Sequence, residues 1–114
     1  MKFGGVCITT NNVSRLVDFY QTVLQEKPFQ EGKHYAFSSL AVYDPGGVTV
    51  TQHNNTWLQC FDSDIDALYE RLLREIPGIE IIDPPIRRPW GAYSFWFKDP
   101  DGNKIAVAQN REDS

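Results

Sequence analysis

The chain has 114 residues, of which 41% are hydrophobic and 23% charged, with a net charge of −4. That length suits one compact domain, and the composition excludes a disordered chain. An acidic balance without a basic stripe excludes a nucleic-acid partner and favours a cationic guest over an anionic one.

F-G-G-V-C-I-T (3–9) reads as a short strand. The N-terminal M-K-F-G-G-V-C-I holds no long apolar core of the kind a leader needs, and no apolar run approaches the ~18 residues of a membrane span. Cys7 and Cys60 lie far apart with no C-x-x-C, so the chain reads as reduced and cytoplasmic. Asn11 or Asn12 offers an N-cap. Val13, Leu16, Val17, Tyr20, Val23 and Leu24 then recur at helical spacing, and Pro28 stops the pattern. A weak strand falls near Phe29. H-Y-A-F-S-S-L-A-V-Y (34–43) reads as one strand, D-P-G-G (44–47) as a turn, and V-T-V-T-Q-H (48–53) as an alternating strand.

The pattern then restarts. T-W-L-Q-C-F (56–61) reads as a strand, and Asp62 or Asp64 caps a helix with the stripe Ile65, Leu68, Tyr69, Leu72, Leu73, Ile76. Pro77-Gly78 stops it. I-E-I-I (79–82) is a short strand, P-P-I-R-R-P a loop, A-Y-S-F-W-F-K (92–98) a strand, D-P-D-G a turn, and N-K-I-A-V-A-Q (103–109) the last strand. Strand, helix and three strands therefore occur twice, with a period of about 53 residues; matching order and punctuation argue for a duplicated unit. The predicted fold is α+β: a single domain over 1–114, made of two tandem βαβββ modules (about 3–55 and 56–110). Their curved mixed sheets surround a cleft, with helices on the outer face. Val48, Val50, Ile105 and Val107 are assigned to the helix side. Thr49, Thr51 and His53, and Lys104, Ala106 and Ala108, take the open side.

V-S-R-L-V-D-F-Y-Q-T-V-L (13–24), D-I-D-A-L-Y-E-R-L (64–72) and P-W-G-A-Y-S-F-W-F-K-D-P-D-G-N (89–103) together resemble the vicinal oxygen chelate superfamily, over nearly the whole chain. That superfamily includes glyoxalase I, extradiol dioxygenases and the bleomycin-resistance proteins. Its enzymes hold a divalent metal with His, Gln or Glu on the first and last strands of each module. Counting from the matched motifs, those positions fall on Gly5, Thr51 (or Val50 if the register slips), Trp57 and Ala106. Gly and Ala bring no donor atom, the Trp ring has only an N–H, and Thr alone is a poor ligand. The resemblance therefore implies no metal and no cofactor here, and no catalytic residue is assigned.

What the expected cleft offers is aromatic area with a few polar groups: Trp57, Gln59, Thr51, His53 and Cys7, together with Tyr93 and Trp96 on the strand after P-W-G. Alternate residues of that strand face opposite ways, and its inward face is left open. Cys60 is placed on the core side. The expected function is that of a metal-free small-molecule binder, in character nearest the bleomycin-resistance branch, and the resemblance implies a homodimer. Two other readings stand beside it: a metal-dependent lyase or dioxygenase, and a structural module whose cleft is filled by its own aromatics. Pro89, Gly91 and Asp99–Gly102 are read as devices of the fold.

Overall fold

The computed structural model describes residues 1–47, 49 and 56–109. The chain divides into two compact units, residues 1–51 and 52–114.

In the first unit, β1 (Val6–Thr9) leads into α1 (Val13–Leu24), followed by β2 (Phe29–Glu31), β3 (His34–Ala36) and β4 (Leu40–Tyr43). Asn12 caps α1 by accepting the Arg15 N–H, and the Asn12 N–H is held by the Thr10 hydroxyl oxygen. The helix ends where Gln25 turns left-handed, before Pro28 is reached. Its apolar stripe buries Leu16, Val17, Phe19 and Tyr20. Each such side chain contributes about 1.5–3 kcal/mol by leaving water. The sheet order is β1-β4-β3-β2, with β1 parallel to β4 and the other pairs antiparallel.

The expected single strand over 34–43 is two strands. Phe37 N–H donates to the Leu40 carbonyl across a tight turn, and the Glu26 carboxylate accepts both the N–H and the hydroxyl of Ser38. Serines satisfy a turn with their own side chains, a weaker signal than Gly or Pro. The strand parallel to β1 is consequently β4, with Cys7 opposite Ala41. The strand expected at 48–53 falls almost wholly outside the described residues.

In the second unit, β5 (Trp57–Asp62) is followed by α2 (Ile65–Glu75), β6 (Glu80–Arg87), β7 (Tyr93–Lys98) and β8 (Lys104–Gln109). The order is β5-β8-β7-β6, again with the outer β5 parallel to its neighbour β8. The plan of the first unit is thus repeated, as the duplication predicts. Asp64 caps α2 through the Ala67 N–H. The helix packs on β6, β7 and β8, burying Ile65 and Leu72, with Tyr69 edge-on to Phe95 at 5.2 Å. Phe95, Phe97, Ile105 and Val107 complete this core.

P-P-I-R is not a loop. β6 runs through Pro84 and Pro85, and its pairing with β7 shifts between Asp83 and Ile86. Successive residues of a strand aim their N–H groups to opposite sides, so one proline removes a ladder bond and the other a free edge donor. Such a strand survives only at the edge of a sheet and at a bulge, and β6 has both.

The turn after β7 is built on Asp99. Its carboxylate accepts the N–H of Asp101 and of Asn103 and the Asn103 amide, while Gly102 closes the turn at φ +87°. Among the described residues no helix is long and apolar enough to cross a membrane.

Candidate functional site

The pleat of the second sheet decides which side chains meet. Phe95 and Phe97 point to α2, so Ser94, Trp96 and Lys98 share the opposite face. Across the ladder, Trp96 lies beside Ala106 and Ala106 beside Gln59; Ser94 lies beside Ala108 and Ala108 beside Phe61. The central strand β8 therefore presents two methyl groups between taller neighbours. This low floor lies in a pocket of about 760 Å³ on the open side, rimmed by Arg87, Trp90 and Tyr93. It is partly open to solvent, and large enough for a small aromatic molecule.

Trp57 and Trp96 meet edge to face at 4.9 Å, and the Lys104 ammonium lies 5.1 Å from the Trp57 ring centre. The Arg88 guanidinium lies 3.6 Å from the Trp96 ring centre. Arg88 is only 8% exposed. Its Nε–H donates to Ser94 Oγ at 2.8 Å and its Nη1–H to Asp83 Oδ2 at 3.0 Å. Its Nη2 is buried with no hydrogen-bond partner among the described residues. One side chain thus ties β6 to β7 and fixes the Trp96 ring.

The P-W-G corner positions these groups. Gly91 N–H donates to the Arg88 carbonyl and Arg88 N–H to the Ala92 carbonyl, with Gly91 at φ +95°. Pro89 pre-sets the turn. The turn leaves Trp90 65% exposed at the pocket rim. Arg87 donates to the Gly91 carbonyl and lies 5.6 Å from the Tyr93 ring centre.

Of the residues expected at the site, Trp57, Gln59 and Trp96 come together on this face. Tyr93 has the opposite parity to Trp96. It contributes to the rim, but its hydroxyl donates to Asp66 of α2 at 2.6 Å. That bond to Asp66, with some desolvation and the Asp66 charge, raises the Tyr93 pKa. Cys7 belongs to the first unit, where it is exposed on β1. Thr51 and His53 lie outside the described residues. Cys60 is half-buried, and burial pushes its thiol pKa up. Arg87, Arg88, Trp90, Ser94 and Phe61 were not anticipated. The sequence carried one signal for Ser94: it has the parity of Trp96.

At the positions where the superfamily's enzymes bind metal, the residues present do not fit an ion. Gly5 has φ +143°, and a Cβ built there would meet the Ser39 carbonyl oxygen at 2.7 Å. That position excludes any side chain, not merely a ligating one. Trp57 is engaged with Trp96 and Lys104, and Ala106 offers a methyl group. In β-sheet register the first unit's counterpart of Ala106 is Ala41, which faces Cys7 as Ala106 faces Gln59. Among the described residues, no three His, Cys, Asp or Glu side chains are grouped to hold a metal.

Residues 3–112 match the family model described as a glyoxalase-like domain. The chain belongs to this family. Solved structures share its fold. A protein of unknown function from Agrobacterium tumefaciens is 26% identical, with 96% of this chain and 94% of that one covered and a TM-score of 0.79. A glyoxalase/bleomycin resistance protein/dioxygenase from Nocardioides is 24% identical over 96% and 83%, with a TM-score of 0.76. A member of the superfamily of that name from Sphaerobacter thermophilus is 20% identical over 96% and 98%, with a TM-score of 0.73. The glyoxalase-like domain is thus a member of the vicinal oxygen chelate superfamily.

Proposed function

We propose that the protein binds a small, flat, largely apolar molecule on the open face of its second sheet, without a metal at the positions the superfamily's enzymes use. The observation that carries this reading is the pocket over Ala106 and Ala108, flanked by Trp96 and rimmed by Trp90. Aromatic walls around a floor of methyl groups offer stacking area to a planar guest. The open volume favours this reading over a module filled by its own aromatics. Gly5, Trp57 and Ala106 disfavour a metal-dependent lyase or dioxygenase, because three of its ligand positions lack a usable donor.

The test combines metal content with ligand binding. Protein incubated with zinc, nickel, manganese or ferrous iron and then desalted is expected to retain no stoichiometric metal. A panel of planar aromatic compounds is expected to quench tryptophan fluorescence saturably, and Ala106→Leu, which raises the floor, to abolish that quenching while the fold persists. Retained metal at one equivalent, or a panel that never saturates, would overturn the proposal.

A further inference from the structure

We infer that the ligand carries an anionic group, a carboxylate or a close equivalent, seated at Ser94 and Arg87. This rests on the binding reading above and names the ligand's charge. Overall the chain is acidic, yet its pocket is not. Among the described residues no carboxylate lines it, and Arg87 is the one charged residue in its lining. Arg87 spends one N–H on the Gly91 carbonyl and has no carboxylate partner among the described residues. Its remaining donors stand at the rim.

The second observation lies at the floor. Ser94 is 4% exposed and lines the pocket. Its Oγ accepts the Arg88 Nε–H, and no acceptor for its own proton is found among the described residues. A hydroxyl that accepts from a guanidinium is a stronger donor, because the cation draws electron density from its oxygen. It is therefore suited to donate to an anionic oxygen. Arg88 adds positive charge beside Ser94 and Trp96, offset in part by Asp83, and its buried Nη2 has no partner among the described residues. Lys98, on the same face, is paired with Glu80 at 3.2 Å and is not counted. One hydroxyl below and one guanidinium at the rim would hold a carboxylate at the edge of a ring lying over Ala106 and Ala108.

The test uses three probes of one shape and different charge: 2-naphthoate, 2-naphthylmethanol and 2-naphthylmethylammonium. Each is titrated into the 15N-labelled full chain, and the tryptophan indole N–H signals give the affinity. Naphthoate should bind about tenfold tighter than the alcohol, and the ammonium weakest. Arg87→Gln should remove most of naphthoate's advantage over the alcohol. Ser94→Ala should also reduce it, in a variant whose spectrum shows an intact fold. If the alcohol binds as tightly as naphthoate, or the ammonium binds tightest, the anionic assignment is wrong and small-molecule binding stands. If none of the three shifts any indole signal, both fall.

Discussion

Replacing Arg88 with Met tests how the site is held. The change leaves Ser94 Oγ, in a residue only 4% exposed, without its donor. An orphaned buried hydroxyl costs about 1–3 kcal/mol. Loss of the cation over Trp96 costs about 0.5–2 kcal/mol, partly recovered because a thioether also packs on a ring. The Asp83 side chain is 41% exposed and can rehydrate, so the broken ion pair costs only about 0–1 kcal/mol. Removing the buried Nη2 without a partner returns about 1 kcal/mol. The sum is a destabilisation centred on about 2.5 kcal/mol, within a range of about 0.5–5 kcal/mol, and the central value is roughly 10–15 °C in Tm for a chain of this size. All three tryptophans, Trp57, Trp90 and Trp96, lie in the second unit, so their fluorescence during thermal and urea unfolding follows that unit. The Arg88→Met/Ser94→Ala double variant should lose less than the sum of the single changes, with a coupling of about 1–2 kcal/mol. An Arg88→Met protein within about 0.5 kcal/mol of the parent, or an additive cycle, would refute the clamp.

Gly5→Ala should destabilise by about 2 kcal/mol or more, since the added Cβ meets the Ser39 carbonyl at 2.7 Å, while Gly4→Ala, with nothing within 4 Å, should be near neutral; paired thermal melts decide it. The Tyr93 phenol has its pKa raised, so the stability it brings is full below the ordinary value of about 10 and is lost as pH climbs through the raised value. Absorbance titration at alkaline pH should show one late-ionising tyrosine lost in Tyr93→Phe. Exposed Cys7 should be alkylated by iodoacetamide well before Cys60, whose burial disfavours the thiolate; peptide mass spectrometry after a timed quench reports the order.

Much of the fold is legible in the sequence, because burial imposes a period on it. The stripes Leu16-Val17-Tyr20 and Ile65-Leu72 name their helices, and Asn12 and Asp64 name their starts. The elements misread are those where local chemistry is ambiguous. The break at Ser38–Ser39 has neither Gly nor Pro, and its stability comes from Glu26, twelve residues away. Pro84-Pro85 looks like a loop until β6 is known to be the edge. Trp57 and Gln59 could be placed by parity, but the strand 92–98 has aromatics on both faces, so Tyr93 and Trp96 could not be separated. Arg88 had no signal: in I-R-R-P neither arginine shows a period, and only the turn at Pro89–Gly91 folds one inward and leaves the other at the rim. Net charge gave no local guide either: the chain has a pI near 5.0, yet among the described residues no carboxylate lines the pocket.

The paired prolines of β6 also bear on solubility. An outermost strand invites a neighbouring molecule to extend the sheet, and sheets that grow this way end as fibres. An incoming strand would meet a missing donor at one of Pro84 and Pro85, and a kink where the register slips. The second sheet therefore has a stop on one side, written in two adjacent residues. Replacing both with threonine would remove it and open that side to polymerisation.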